Sequence, residues 1–352
     1  MAVRVVVIGG GVAGCAAAVA AARSGAQVQV LEASHHLGGV AARGEHRTLC
    51  GLAAIDAPTP DLLEPQLVGD WLSRLATGPA YRQGRVWLWP TDSQTLQQGL
   101  ADGLAAAGVS VRFGWSLRCV RSDEDERVVA VDDGKGEIAC DALIDASGAA
   151  TVAILLDLPR SPAGQWPAHR SLLDLPQLGL GRAERVQALG VAQRISGGHA
   201  ACALTPVADG RWQFSLDVPP GFPAFLAAPV AERVAEALAG TLIACAWQVA
   251  ERDGGRPAAV IGLAGLFATS ERGLCWAAWP REEHGPEGVA WTWPERSCHG
   301  VPELVARPRD WPVNAWCVGR AVAVTYEAAS ALRVTGTCLA LGAAVGVRAA
   351  VG

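Results

Sequence analysis

The run Val3 to Ile8 is β-branched and apolar but for Arg4, and it stops at Gly9-Gly10-Gly11. An Ala-rich stretch from Val12 to Arg23 follows and ends at Ser24-Gly25, which reads as strand, tight turn, helix and glycine stop. Ala26, Val28 and Val30 then alternate with polar neighbours as far as Glu32, so a second buried strand is predicted and the first thirty-odd residues form a βαβ unit. Leu96, Leu100 and Leu104 recur at four-residue spacing between the cap candidates Thr91, Asp92 and Ser93 and a terminal Gly108, which predicts a helix. Val109 to Val120, Val128 to Val131 and Ile138 to Cys140 read as short strands joined by polar turns. Leu143 to Asp145 is an apolar strand running into Gly148, and it is expected to return to the first sheet.

Beyond about residue 159 the texture changes. Most of the Pro and Trp residues lie between there and Pro312, where Trp212 to Val218 reads as a strand and residues 229–239 as a helix. A second, smaller α+β domain is expected there. The final segment, Ala315 to Val351, reads as a strand, Gly319-Arg320, then a long helix of small residues starting near Thr337.

Composition removes several functions. The 352 residues carry a net charge of −5 without an Arg/Lys-rich face, which argues against nucleic acid as a partner. No apolar stretch reaches the ~18 residues of a membrane span. Lys135 is the only lysine, so Schiff-base and phosphate-loop lysine chemistries are nearly excluded. Ten cysteines occur with no C-x-x-C spacing, which leaves no zinc, iron–sulfur or dithiol motif. That many thiols, with nothing at the N-terminus that reads as a signal peptide, fit a reducing cytoplasm.

The strongest chemical signal is Gly9-x-Gly11-x-x-Gly14 between strand and helix, with Glu32 at the end of the next strand. Gly9 permits the turn, Gly11 lets a pyrophosphate approach the backbone, and Gly14 allows close helix–strand packing. The helix N-terminus offers N–H groups to the phosphates, and Glu32 accepts from a ribose hydroxyl. NAD shares this fingerprint with FAD. Leu37-Gly38-Gly39 and Arg43 follow Glu32 as in chains that turn along FAD, Ala146-Ser147-Gly148 and Gly319-Arg320 supply two further glycine turns, and no second G-x-G-x-x-G provides a nicotinamide domain. One tightly held FAD is expected.

With these motifs the chain resembles the FAD-dependent oxidoreductases related to the fumarate reductase flavoprotein, within the glutathione-reductase-like group. The resemblance rests on Gly9 to Glu32, Gly38-Gly39, Ile144-Asp145-Ala146-Ser147-Gly148, and Trp279-Pro280-Arg281-Glu282-Glu283-His284. It runs on through Val301-Pro302, Arg307-Pro308, Asn314 and Gly319-Arg320 to Arg333-Val334-Thr335-Gly336-Thr337-Cys338-Leu339-Ala340-Leu341-Gly342. It implies an FAD-binding Rossmann-like parallel sheet split over residues 1–50, 91–158 and 312–352. A substrate or cap domain would span 159–311, and a connecting segment, 51–90, would line the cleft. It also implies that the last helix points its N-terminus, with Thr337 and Cys338, at the flavin pyrimidine ring, and that Leu117 offers backbone contacts to adenine. Two departures stand out: Ala149-Ala150 where the family often has acids, and a short segment after them. The second implies an open flavin face, or a protein partner or second copy that closes the cleft.

Hydride transfer between a small organic substrate and the flavin is the expected reaction. A flavin-dependent monooxygenase is the alternative, and a flavoprotein with a degraded substrate site serving as a binding or assembly subunit is a third reading. His284, beside Glu282 and Glu283, is the candidate acid/base, with Arg320, Arg333, Arg256 and Tyr326 as electrostatic or hydrogen-bonding groups. His35-His36 offers either covalent flavin attachment or a solvated loop, Cys50 a redox thiol or a buried one, and Trp87 with Trp89 an aromatic pocket or core.

Overall fold

A computed structural model describes residues 2–161, 168–179, 182–195, 201–208, 211–217, 225, 227–249, 256–285 and 288–351. The chain is a mixed α/β protein built on a five-stranded parallel sheet. Strand β1 (Arg4–Ile8), helix α1 (Val12–Arg23) and strand β2 (Gln27–Glu32) are the βαβ unit predicted from the sequence. The sheet runs Ala315–Cys317, Ala142–Asp145, β1, β2, Ser110–Phe113. Val5, Val7, Val6 and Ile8 are all buried because helices or loops cover both faces, which is why this strand reads as a continuous apolar run.

The Leu96/Leu100/Leu104 stripe folds as the helix Ser93–Ala106, whose start is fixed by the Asp92 carboxylate accepting from Thr95 N at 2.7 Å. The expected single strand Val109 to Val120 is two strands. Ser110–Phe113 stays in the parallel sheet, and Cys119–Ser122 joins Val128–Asp132 and Glu137–Ala139 in an antiparallel sheet of three. Gly114, at φ +66°, turns the chain between them, and the turn seats Trp115 in the core.

The C-terminal helix Thr335–Val351 begins two residues earlier than the pattern suggests and lies against α1. Their contact is backbone to backbone. A Cβ at Gly342 would stand 2.2 Å from Ala13 O and one at Gly346 2.1 Å from Ala17 O, so glycine is obligatory on this face. This helix and Tyr326–Leu332 meet at a 90° bend, and among the described residues no single helix is long and apolar enough to cross a membrane.

The region expected to be a second α+β fold contains a four-stranded antiparallel sheet, ordered Ala201–Ala208, Arg211–Asp217, Ala168–Asp174, Thr241–Val249. Helices Arg182–Ile195 and Ala227–Ala237 accompany it, and Trp212, Phe214, Leu173 and Val234 fill its core. The Gln213 amide donates from this sheet to Gly44 O at 2.9 Å and Glu45 O at 2.7 Å, tying it to the loop beyond Gly38-Gly39.

Candidate active site

The three glycines of the fingerprint have different reasons to be glycine. Gly9 has φ +105°, and its Cβ would meet Ala146 O at 2.5 Å; a Cβ at Gly14 would fall 2.1 Å from Gly9 O. Both are demanded by the packing of turn, helix and strand. Gly11 is not: it has φ −70° and ψ 174°, and its Cβ would meet nothing nearer than Gly39 Cα at 4.0 Å. The fold itself therefore does not demand glycine at position 11, which caps the N-terminus of α1 where N–H groups lack helical partners and can meet an anion. Gly38 and Gly39 pack beside it. Gly38 N donates to Gly10 O at 2.8 Å, both residues have positive φ, and a Cβ on Gly39 would stand 3.1 Å from Gly11 Cα.

Glu32 is buried at the end of β2, and its two carboxylate oxygens accept from Gly10 N at 2.6 Å and Ser34 N at 2.8 Å. The residue therefore ties the glycine turn to the next loop, and spare lone pairs remain for a ribose hydroxyl. Arg43 closes the short helix Gly39–Arg43. Leu117 packs partly buried against the cluster around Trp115, next to the edge of the antiparallel sheet of three.

Ala146-Ser147-Gly148 turns beside Gly9. Ser147 Oγ accepts from Ala149 N and Thr151 N, and fully buried Asp145 accepts from Ser147 N and Val152 N, both at 2.9 Å. Burial raises the Asp145 carboxyl, and these hydrogen bonds oppose the shift. Asp145 is thus a capping group for the turn, a role its sequence context did not reveal. Gly319 (φ +65°) and Arg320 lie against this turn, the Cβ of Arg320 standing 3.9 Å from where a Gly148 Cβ would be.

At the other end, Gly336 N donates to Cys50 O at 2.8 Å, drawing the loop Cys50-Gly51 onto the start of the C-terminal helix. Thr337 is fully buried there, and its hydroxyl has no hydrogen-bond partner among the described residues. Such a group costs ~1–3 kcal/mol unless a ligand satisfies it. Cys338 differs: its thiol donates to the Arg333 carbonyl at 3.3 Å and its N–H to Val334 O at 2.9 Å, so both are used within the fold. Burial pushes the Cys338 and Cys50 thiols up to about 12, which leaves neither with thiolate character.

Near this end several charged side chains gather; the sequence grouped Arg256, Arg320, Arg333 and Tyr326 as candidates, and it missed His46 and Arg170. Arg333, at the bend between the last two helices, lies within electrostatic reach of His46, Cys50, Arg170, Arg256 and Cys338. Glu282 adjoins His46, Cys50 and Arg170, and its backbone N–H donates to Ser330 Oγ at 3.1 Å, which fixes its strand beside Tyr326–Leu332. Burial, then Arg333 and Arg320, bring the Arg256 guanidinium down to about 9, and Tyr326 acts in the opposite sense. The His46 imidazole is lowered to about 3 by burial and by Arg170 and Arg333, against Glu282, so it stays neutral. His284 sits on the strand Arg281–Gly285, with Val289 as its backbone partner; its side chain lies outside the described residues.

The remaining sequence candidates are placed elsewhere. His35 and His36 are exposed on the rim of a surface cavity of ≈ 450 Å³ with Phe113 and Gln97. Trp89 belongs to the main core, and Trp87, packed on it, donates from Nε1 to Ala57 O at 2.9 Å. No group of three or more His, Cys, Asp or Glu that could hold a metal ion is found among the described residues.

A parallel sheet, a strand–glycine–helix turn whose middle glycine the packing does not require, and a buried acid at the end of the second strand define a dinucleotide-binding protein of the flavoprotein type. The model of the FAD dependent oxidoreductase family matches residues 4–169 and 267–352, and the chain belongs to that family. FAD is its cofactor, and a Gly11 that the packing does not require and a Thr337 hydroxyl with no hydrogen-bond partner among the described residues fit it.

Among solved structures the chain is similar to a mutant of 2-methyl-3-hydroxypyridine-5-carboxylic acid oxygenase, at 14% identity and a TM-score of 0.50, covering 96% of this chain and 80% of that one. AlpK gives the same identity, TM-score and coverage of this chain, with 59% of its own length covered. FqzB gives 20% identity and a TM-score of 0.44 over 63% of this chain and 54% of that one, so the present chain spans about half the length of that relative. These likenesses are of fold. The comparison with curated proteins returns no match.

Proposed function

We propose that the chain is an FAD-dependent oxidoreductase that moves a hydride between a small organic substrate and the flavin. Gly11 carries this reading, as the one fingerprint glycine that the protein's own packing does not require. When bound, FAD supplies the hydride acceptor or donor. The chain's part is to hold the phosphates at the α1 N-terminus, the ribose at Glu32, and the ring near Thr337 and Arg320. The proposal includes the split into an FAD domain of residues 1–50, 91–158 and 312–352, a connecting segment 51–90, and a cap of residues 159–311. Supporting it are the break in the family match between 169 and 267 and the separate four-stranded sheet there. The glutathione-reductase-like assignment, with fumarate reductase kinship, belongs to the same proposal; the antiparallel sheet of three inserted before Ala142–Asp145 supports the former and the Arg333 to Gly342 block the latter.

His284 is proposed as the acid/base, since its strand is fastened beside Tyr326–Leu332 through Glu282 and Ser330. Tyr326 and Arg320 would orient the substrate and hold developing negative charge. The fold likeness to an enzyme named an oxygenase keeps a monooxygenase reaction as the second reading. The test is chromatography of the cofactor released on denaturation, then anaerobic photoreduction and exposure to dioxygen and other acceptors. FAD and a reversibly reducible flavin spectrum are expected; release of a nicotinamide nucleotide alone, or no uptake of added FAD, overturns the reading.

A further inference from the structure

We propose that the cavity between the four-stranded sheet and the start of helix Ser93–Ala106 binds a neutral polyhydroxylated ring, a hexose or a cyclic polyol. This goes beyond the cofactor reading and does not depend on it. The cavity has a volume of ≈ 550 Å³, within the range of about 300–1,000 Å³ of small-molecule sites. Its wall draws on three parts of the chain: Glu45 and Arg47 from the loop beyond Gly38-Gly39, Tyr81 and Asp92 from the segment that leads into the helix, and Thr205 and Arg211 from the sheet. Strand register brings the sheet residues together. Thr205 and Leu172 both pair with Gln213 across the ladder, so the three project from one face, and Arg211, two residues before Gln213, joins them. Gln213 donates to Gly44 O and Glu45 O, which holds Glu45 in a left-handed backbone at φ +50° and sets it in the cavity wall.

The chemistry of that wall decides the class of ligand. Small-molecule sites are mostly apolar with a few polar groups, whereas here Pro90, Leu172 and Pro206 are the only apolar residues among the described lining. Arg47 and Arg211 only donate, Glu45 and Asp92 only accept, and Tyr81 and Thr205 do both. Glu45 spends one carboxylate oxygen on Arg47, at 2.8 Å, and Asp92 one on Thr95 N, at 2.7 Å, so each keeps another for a ligand. Arg47 Nε is buried with no hydrogen-bond partner among the described residues. An anion attracted to the arginines meets two carboxylates in the same wall, and a cation attracted to the carboxylates meets two guanidinium groups. A hydroxyl suits both, because one oxygen donates to a carboxylate and accepts from a guanidinium, and a ring bearing several hydroxyls matches a wall that mixes the two. Tyr81, 42% exposed, adds an aromatic face for the C–H groups of such a ring.

The test uses the FAD-loaded protein with D-glucose, D-galactose, D-mannose and myo-inositol as probes. Cyclohexanol serves as a ring with a single hydroxyl, acetate and inorganic phosphate as anions, and glycine as a zwitterion. Binding is followed by isothermal calorimetry and saturation-transfer NMR. At least one of the four polyols is expected to bind saturably, and the other compounds at least about tenfold more weakly. Arg211→Gln, at the exposed start of its strand, is expected to weaken that polyol roughly ten- to hundredfold with melting temperature and FAD content unchanged. Tyr81→Leu probes a different wall, serves where the glutamine variant does not fold, and should weaken binding about tenfold. The proposal is overturned if no polyol binds with a Kd below about 50 mM, if cyclohexanol, an anion or glycine binds as tightly, or if both variants fold and stay within about threefold of the parent. A protein that takes up no FAD refutes the cofactor reading instead, and the same titrations on it still decide the polyol site.

Discussion

Replacing Gly11 by alanine separates a ligand's demands from those of the fold. Its backbone, at φ −70° and ψ 174°, is open to any residue, and the nearest atom to a new methyl is Gly39 Cα at 4.0 Å, an ordinary contact. Alanine should gain about 0.4–1 kcal/mol from a less flexible unfolded chain. It should lose a comparable amount because glycine is the better residue at a helix N-cap. The apoprotein should therefore melt within about 2 °C of the parent. On the proposed reading the FAD pyrophosphate approaches the backbone at Gly11, where a methyl would crowd it, and a rigid overpacked contact costs about 1–3 kcal/mol, or roughly 5- to 150-fold in affinity. Gly14→Ala is the control with the opposite profile: its Cβ would stand 2.1 Å from Gly9 O, so the apoprotein itself should be strongly destabilised. Flavin fluorescence gives the Kd and scanning calorimetry of apoprotein the melting temperature. An apoprotein Tm lowered by more than about 4 °C in Gly11→Ala, or an FAD Kd within about threefold of the parent, would refute the reasoning.

Glu32→Ala should destabilise even the FAD-free protein, by about 2–5 kcal/mol, because Gly10 N and Ser34 N both lose their acceptor; a melting curve of apoprotein identical to the parent would leave Glu32 a ribose ligand only. Gly346→Ala should lower the melting temperature by several degrees with FAD affinity nearly unchanged, since its Cβ would strike Ala17 O. His284→Ala should slow flavin reduction by substrate roughly 10²–10⁴-fold in stopped-flow measurements while leaving photoreduction intact, and a rate within about threefold would remove it from the catalytic list. The Arg4 guanidinium, hydrogen-bonded to Asp141 at 2.6 and 3.0 Å, holds that carboxyl down to about 2. Its stabilisation is thus present above the usual carboxylate pKa and lost as pH falls through about 2. Arg4→Ala should accordingly lower Tm slightly at pH 6 and by much less at pH 2, where Asp141 is about half protonated, a difference differential scanning calorimetry can read; an equal effect at both would show that the pair contributes nothing through charge.

Local order along the chain was enough for much of the cofactor half. Strand β1, α1, β2 and the helix under Leu96, Leu100 and Leu104 were legible because each repeats one period over a full element and is bounded by its own cap or glycine. The glycine turns at 9–14, 38–39, 146–148 and 319 were legible for a similar reason, since positive φ or a backbone approach restricts the residue type at the position itself. Boundaries were less so: Val109 to Val120 looked like one strand because its apolar character continues through Gly114, and only the seating of Trp115 in the core breaks it.

What the sequence by itself determined is the first and last parts of the parallel-sheet half of this protein: a βαβ unit, a glycine turn, an acid at the end of the second strand and a last helix made of small residues. These follow from contacts between residues near one another in the chain, or from single positions where only glycine fits. The tertiary structure alone decided that Gly11 is the fingerprint glycine with no internal reason to be one, that the Thr337 hydroxyl has no partner among the described residues, that His46, Arg170 and Arg256 lie within electrostatic reach of Arg333, and that His46 and Arg170 lie within reach of Glu282. Those five residues stand tens to hundreds of positions apart, on elements with no common period, and electrostatic neighbours of that kind leave no pattern in sequence because only packing sets the distances between them.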